Sequence, residues 1–182
     1  MELIPTYIDH LKRFEGFSAT AYLPKGEPAS DYLTIGYGTR LPRTKALALS
    51  PMDEQEATYY LEQSLSGITK FVRSSLQAVP YAFSDNQFTV LVDFCYNCGV
   101  GAYERSTLYK LIKSIRFTAE DLHLHPHDEY KLANVEAICT EFNRWTKSGG
   151  KVLPGLVSRC AWRSALWRSR AVDAVNAHFG IK

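Results

Sequence analysis

The sequence predicts an α+β protein in which a small antiparallel sheet lies near the N-terminus and the rest of the chain is helical. Three observations predict this. Apolar residues recur at helical spacing as far as Glu15, and Gly16 then ends the pattern. β-forming residues dominate residues 17–39 around a turn-rich loop at 24–28, so two or three short strands are expected. Helical patterns occupy the remainder.

Several helices are expected after the sheet. Ser50 is predicted to cap a helix that has Pro51 at its first position and runs towards Val72. Residues 87–96 form the most apolar pattern of the chain, so we expect this helix at the centre of the larger lobe. Three more helices are predicted. One begins near Ser106, and the other two cover residues 136–145 and 156–167.

The composition is that of a globular protein and excludes several other classes. Of 182 residues, 46% are hydrophobic and 22% are charged. No apolar stretch reaches the roughly 18 to 20 residues that a transmembrane helix needs, so no membrane insertion is expected. A net charge of +2 is not the clustered basic face typical of nucleic-acid binding. We expect a monomeric single domain, with a small lobe and linking helix over about 1–70 and a helical lobe over about 71–182.

Cysteines and histidines do not predict a metal site. Cys95 and Cys98 form a C-x-x-C inside an apolar helical pattern, and Cys139 and Cys160 complete no ligand set. Buried free thiols are expected, with neither a metal nor another cofactor. Three alternating histidines are expected in a polar connecting loop: His123, His125 and His127.

Glu15 is the first candidate for a chemical role. It is expected to close the first helix, where the partial negative charge of the helix end favours a cationic partner or a proton on the carboxylate. Phe14 and Phe17 flank it and could exclude water. Glycoside hydrolysis needs one carboxyl that stays protonated and a second group on the opposite face of the bond. On this pattern alone, an exposed glutamate at a frayed helix end is the more favoured interpretation.

Three ordered blocks of the sequence resemble glycoside hydrolase family 24, the phage-type lysozymes. The resemblance implies a lysozyme-like fold with the active site in the cleft between the two lobes. It also implies an N-acetylmuramidase that hydrolyses the β-1,4 bond between N-acetylmuramic acid and N-acetylglucosamine. The blocks are residues 14–38 (FEGF, AY and TIGYG), residues 87–108 (QFTVLVDF, YNCG and STL) and residues 144–159 (RW, GGKVLPGLV and R).

By this resemblance Glu15 is the general acid and Thr34 holds the attacking water. The family's second acid usually follows the Ala-Tyr pair, but Pro24 stands at that position and the loop before Thr34 is longer than the common form. Two acids are available in the loop. We prefer Asp31, three residues before Thr34, over Glu27 at the loop tip. Turn formation after Ser30 is the alternative role for Asp31.

The resemblance also implies contacts with the glycan. The family places an arginine near its catalytic glutamate, so we expect Arg159 to pair with Glu15; an exposed arginine on the last helix is the alternative. For two tyrosines, core packing is the alternative to a sugar contact. The predicted substrate-binding residues are Tyr22, Asn97, Tyr103, Thr107 and Arg159.

The N-terminal residues lack the basic start, apolar run and cleavage site of a signal peptide. The resemblance implies a phage or prophage endolysin that stays in the host cytoplasm, reaches bacterial peptidoglycan with the help of a holin, and lyses the cell. Two rival functions stay open. A glycan-binding protein on the same scaffold is suggested by the displaced second acid. A lytic transglycosylase would use a single acid and leave anhydromuramic products.

Overall fold

A computed structural model describes residues 1–25, 28–81, 83–115 and 129–179, with side chains over 134–169 in the last range. The chain divides into two compact units, one of Pro5–Thr69 and one of Met1–Ile4 with Lys70–Lys182. The division falls beside the boundary that the sequence predicts near residue 70. It stays a prediction that the two units are lobes of a single domain.

The first unit contains a short helix, a three-stranded antiparallel sheet in the order β1-β2-β3, a second short helix and most of a third. Helix α2 packs against all three strands. The middle strand is buried from Leu33 to Gly36. The elements are α1 (Tyr7–Glu15), β1 (Ser18–Tyr22), β2 (Tyr32–Gly36), β3 (Thr39–Pro42), α2 (Arg43–Ala48) and α3 (Glu54–Leu76).

Helix α3 begins three residues later than the predicted position. Asp53, not Ser50, caps it, since the Asp53 carboxylate accepts a hydrogen bond from the backbone N–H of Glu56 at 2.8 Å. The preceding segment pairs with β1 instead. The hydroxyl of Ser50 accepts from the backbone N–H of Ala21, and the N–H of Met52 donates to the carbonyl of Ala19. The predicted cap at Ser50 is therefore wrong.

In the second unit, helix α4 forms the centre, as the apolar pattern predicts. Every residue from Gln87 to Cys95 is buried. The helix begins at a capping box, in which the Ser84 hydroxyl accepts from the Gln87 backbone N–H at 3.2 Å and the Gln87 side chain accepts from the Ser84 N–H at 3.1 Å. The elements are α4 (Asp85–Cys98), α5 (Val100–Arg105), α6 (Thr107–Ser114), α7 (Glu129–Asn143), β4 (Lys147–Ser148), β5 (Lys151–Val152) and α8 (Pro154–Phe179).

The sequence pattern does not predict the small hairpin β4–β5, whose turn consists of Gly149 and Gly150. Both glycines have positive φ values, 56° and 77°. Two consecutive residues of this kind form the tight turn that joins antiparallel strands, so the pair closes a hairpin. The predicted helix opening near Ser106 is confirmed, because the Ser106 hydroxyl accepts from the Tyr109 N–H at the start of α6.

The four cysteines are free thiols, and all except the half-buried Cys98 are buried. Burial raises the pKa of Cys95 to about 12, and it also raises the pKa of Cys98, Cys139 and Cys160. These thiols therefore stay protonated at neutral pH. Among the residues that the structure describes, no helix is both long and apolar enough to cross a bilayer. The histidine-rich segment lies outside the described residues.

Candidate active site

Glu15 is the last residue of α1, where the sequence predicts the helix to stop. The backbone N–H of Gly16 donates to the Lys12 carbonyl at 3.0 Å, and Gly16 has a φ of 71°. A residue with a side chain rarely adopts that conformation, so the Glu-Gly pair fixes the end of the helix. Glu15 is half-buried there.

The carboxylate of Glu15 lies against Gly38, in the turn between β2 and β3. A Cβ atom on Gly38 would stand 3.2 Å from Oε2 of Glu15 and 3.9 Å from its Cβ. Gly38 also has a φ of 78°. Glu15 is therefore the group that closely approaches this glycine.

Tyr37 anchors the turn that carries Gly38. Its hydroxyl donates to Oε2 of Glu54 at 2.7 Å, its ring centroid lies 5.4 Å from that of Phe17, and the Lys12 ammonium lies 5.3 Å from the ring centroid. Burial, then the hydrogen bond and the negative charge of Glu54, raise the pKa of Tyr37 to about 12. These contacts join the end of α1, the turn and the start of α3, and so hold the surroundings of Glu15 in place.

Thr34 lies in the middle strand, opposite Tyr22 of β1 and Arg40 of β3. Directly opposed residues of antiparallel strands project to the same face, so these three side chains form one row. Thr34 is 9% exposed, whereas Tyr22 is 44% exposed. Core packing, the alternative for Tyr22, is therefore wrong, and its ring is available on the Thr34 face.

Asp31 immediately precedes β2, and its side chain is exposed. The turn role suggested for it belongs to Ser30, whose hydroxyl accepts from the backbone N–H of Tyr32 at 3.2 Å. The carbonyl of Asp31 accepts from the backbone N–H of Arg43 at 2.6 Å. These residues and Ala29 line an open pocket. Glu27, the other candidate acid, lies outside the described residues, so the choice between the two acids stays a prediction.

A buried ionic cluster lies in the second unit, on α4 and α8. Nη2 of Arg159 donates to Oδ1 of Asp93 at 2.8 Å, and Nε of Arg163 donates to Oδ2 at 2.6 Å. All three residues are at most 4% exposed. Burial by itself raises the pKa of Asp93, but the two guanidinium groups overcome this and hold the pKa below its ordinary value of 3.8.

Two residues predicted separately as glycan contacts belong to this cluster. Arg159 binds Asp93 directly, and Asn97 accepts a hydrogen bond from Nη2 of Arg163 at 3.2 Å. The exposed alternative for Arg159 is wrong, and its pairing with Glu15 stays a prediction. The sequence does carry a signal for the cluster. Asp93 stands in the most apolar helix of the chain, and a buried carboxylate needs a cationic partner.

Burial contradicts the predicted glycan contact of Tyr103, as it does that of Arg159, which is 4% exposed. Tyr103 is 0% exposed, and its ring packs against those of Tyr109, Phe94 and Phe71 at 5.1, 6.1 and 6.4 Å. A side chain without accessible surface cannot touch a polymer, so the core alternative describes Tyr103 correctly. Thr107, the first residue of α6, is exposed and stays a predicted contact.

The family model described as "Phage lysozyme" matches residues 12–163. The chain is 31% identical over 169 residues to an endolysin of Bacillus phage PZA, which covers 93% of this chain and 56% of that protein. It is 30% identical over 159 residues to an endolysin of Bacillus phage B103, with 87% and 51% covered. The chain thus spans about half the length of these two relatives.

The fold of this chain resembles that of several solved structures. The muramidase domain of SpmX from Asticaccaulis excentricus superposes with a TM-score of 0.66 at 23% identity, covering 91% of this chain and 97% of that one. An endolysin from Escherichia coli O157:H7 phage FAHEc1 gives a TM-score of 0.61 at 25% identity, with 92% and 93% covered. The predicted lysozyme-like α+β fold is confirmed.

Proposed function

Because the chain belongs to the phage lysozyme family, we propose that it is a lysozyme (EC 3.2.1.17) acting on bacterial peptidoglycan. It hydrolyses the β-1,4 bond between N-acetylmuramic acid and N-acetylglucosamine. The observation that carries this proposal is the carboxylate of Glu15, fixed at the end of α1 against Gly38, within the segment that matches the family.

Each member of the proposed catalytic group has a distinct task. Glu15, as general acid, protonates the leaving oxygen of the glycosidic bond. The hydroxyl of Thr34 can accept a hydrogen bond from water and donate one, so it orients the attacking water. Asp31 supplies the second carboxylate. Two observations support this role for Asp31. Its exposed side chain lines a pocket, and the hydroxyl of Ser30, not Asp31, makes the hydrogen bond of the local turn.

The glycan contacts in this proposal are those that the structure leaves available. Tyr22 presents an exposed ring on the face of Thr34. Aromatic rings of this kind offer an apolar surface and a polar tip to a ligand. Asn97 and Thr107 complete the proposed set, whereas Tyr103 and Arg159 are left out because their side chains are buried.

The biological setting follows from the same family relationship. We propose an endolysin that acts as a monomer, waits in the host cytoplasm until lysis, and reaches the wall through the action of a holin. No cofactor enters the proposed reaction, because carboxyl groups, a hydroxyl and water suffice for glycoside hydrolysis.

Digestion of purified peptidoglycan followed by mass spectrometry tests the activity. We expect fragments that end in reducing N-acetylmuramic acid, the product of hydrolysis. Fragments that end in anhydromuramic acid would instead identify a lytic transglycosylase. Strands that bind the protein but stay intact would identify a glycan-binding protein without catalysis, and the proposed function would then be wrong.

A further inference from the structure

The side-chain amide of Asn97 has one end that accepts hydrogen bonds and one that donates them. Nη2 of Arg163 lies 3.2 Å from Oδ1 of Asn97, and the thiol of Cys98 donates to the same oxygen at 3.6 Å. A guanidinium has five donors, no acceptor and a permanent charge. Arg163 can therefore face only the oxygen end, and the chemistry of this neighbour dictates the orientation of the amide.

Arg163 is itself held rigidly. Its side chain is fully buried, and Nε donates to Oδ2 of Asp93 at 2.6 Å while Nη2 donates to the Asp93 carbonyl at 3.2 Å. Its guanidinium carbon also lies 5.4 Å from the ring centroid of Phe94. With the oxygen of Asn97 directed at this fixed group, the amide nitrogen points the other way. Among the described residues, that nitrogen makes no hydrogen bond and is not enclosed by the core.

We propose that Asn97 donates a hydrogen bond to an N-acetyl carbonyl oxygen of the glycan, and that Arg163 is the positioning residue that orients it. This inference rests on the proposed function, which makes the glycan the ligand. Hydroxyl groups of a glycan both donate and accept, whereas the N-acetyl carbonyl only accepts. The N–H donor of Asn97 is complementary to this carbonyl, whereas de-N-acetylation leaves an ammonium group that only donates, so the contact discriminates against the de-N-acetylated form.

The substitution Asn97→Asp separates the two tasks of this side chain. A carboxylate keeps the oxygen that Arg163 binds and makes the contact an ion pair, but it replaces the donor with a second acceptor. The new carboxylate can form a charge-assisted hydrogen bond with Arg163, so we expect the variant to unfold at the same temperature as its parent or higher.

Isothermal titration calorimetry measures the effect on binding, in a Glu15→Gln background so that the result does not depend on catalysis. The probes are glycan strands freed of their peptides by an amidase, either N-acetylated or chemically de-N-acetylated. We expect Asn97→Asp to weaken binding of the N-acetylated strands about tenfold. Binding of the de-N-acetylated strands should be unchanged or stronger, since their ammonium groups can donate to the new carboxylate.

Asn143→Asp is the matched control, because Asn143 is exposed at the end of α7 and gains the same charge. It should leave binding of both probes close to that of the parent. The inference is overturned if Asn97→Asp binds N-acetylated strands as the parent does, weakens both probes equally, or lowers the unfolding temperature. It is also overturned if the parent binds neither probe. Failure of the proposed function would show instead as uncut peptidoglycan with the unsubstituted protein, and the binding comparison would still decide the role of Asn97.

Discussion

The carboxylate of Glu15 and the backbone of Gly38 approach so closely that a single methyl group on Gly38 would stand 3.2 Å from Oε2 of Glu15. The two residues come from different elements, the end of α1 and the turn between β2 and β3. The glycine therefore has two tasks. It adopts a backbone conformation that other residues avoid, and it leaves space for the proposed catalytic carboxylate.

Gly38→Ala is expected to lower both activity and stability. The methyl group crowds the Glu15 carboxylate, and misplacing a catalytic group by a fraction of an ångström is expected to lower kcat about tenfold or more. The left-handed backbone adds a cost of about 1 to 2 kcal/mol in the free energy of unfolding. Turnover of peptidoglycan and urea unfolding measure the two effects.

Gly67→Ala is the matched control for that substitution. Gly67 lies within α3, and a Cβ there meets no atom within 4 Å. Alanine is the better helix former, so the control should gain about 0.5 to 1 kcal/mol and keep full turnover. Equal turnover in both variants would show that the contact with Gly38 does not position Glu15.

Asp31→Asn is expected to lower kcat about 10²-fold, whereas Glu27→Gln should leave it nearly unchanged. The reason is that only one of the two loop acids completes the carboxyl pair that glycoside hydrolysis requires. Both substitutions keep the size of the side chain and remove its charge. The rate of peptidoglycan cleavage at saturating substrate decides between them. The reverse order of effects would assign the second acid to Glu27.

Asp93→Asn is expected to destabilise the protein by about 3 to 5 kcal/mol, because it leaves two buried guanidinium groups without their shared carboxylate. The ion pairs also predict a pH dependence. The pKa of Asp93 in the folded protein lies below 3.8, so its contribution is complete above that pH and is lost as the pH falls below it.

Urea unfolding at neutral pH and at a series of acidic pH values measures this contribution. The parent should lose more stability than Asp93→Asn as the pH falls, since the variant has no carboxylate to protonate at that position. Parallel pH profiles for the two proteins would contradict the assignment of this cluster as a stabilising element.

Tyr37→Phe is expected to cost about 1 kcal/mol at neutral pH, because it removes the hydrogen bond to Glu54. At alkaline pH the difference should shrink. The pKa of Tyr37 is raised from 10 to about 12 in the folded protein. The neutral phenol is thus favoured by folding, and its contribution is lost as the pH rises through this range. A difference between the two proteins that grows above pH 10 would contradict this account.

Local signals predicted much of the fold and of the site. Glu15 could be placed at a helix end because a glycine follows an amphipathic pattern, and Ser106 because a cap precedes helical spacing. Contacts between distant segments could not be predicted in this way. Asp93 lies 66 residues from Arg159 and 70 from Arg163, and no local rule identifies such partners. Ser50 has the residue type of a helix cap, but pairing with β1 determines its role instead.

The limits of local signals also explain why Tyr103 was wrongly predicted as a glycan contact. An aromatic residue is equally suited to a core and to a sugar surface, so residue type did not separate Tyr22 from Tyr103. Register did. Tyr22 faces outward from an edge strand of the three-stranded sheet, whereas Tyr103 is enclosed by three aromatic rings.

The most direct test of the proposed catalysis is the rate at which Glu15→Gln cleaves purified peptidoglycan. The amide has the size of the acid but cannot supply a proton, so we expect the rate to fall about 10² to 10⁴-fold at an unchanged unfolding temperature. Glu62→Gln, on the exposed face of α3, is the matched control and should keep the rate of the parent. Cleavage by Glu15→Gln at the rate of the parent would contradict the account at its centre.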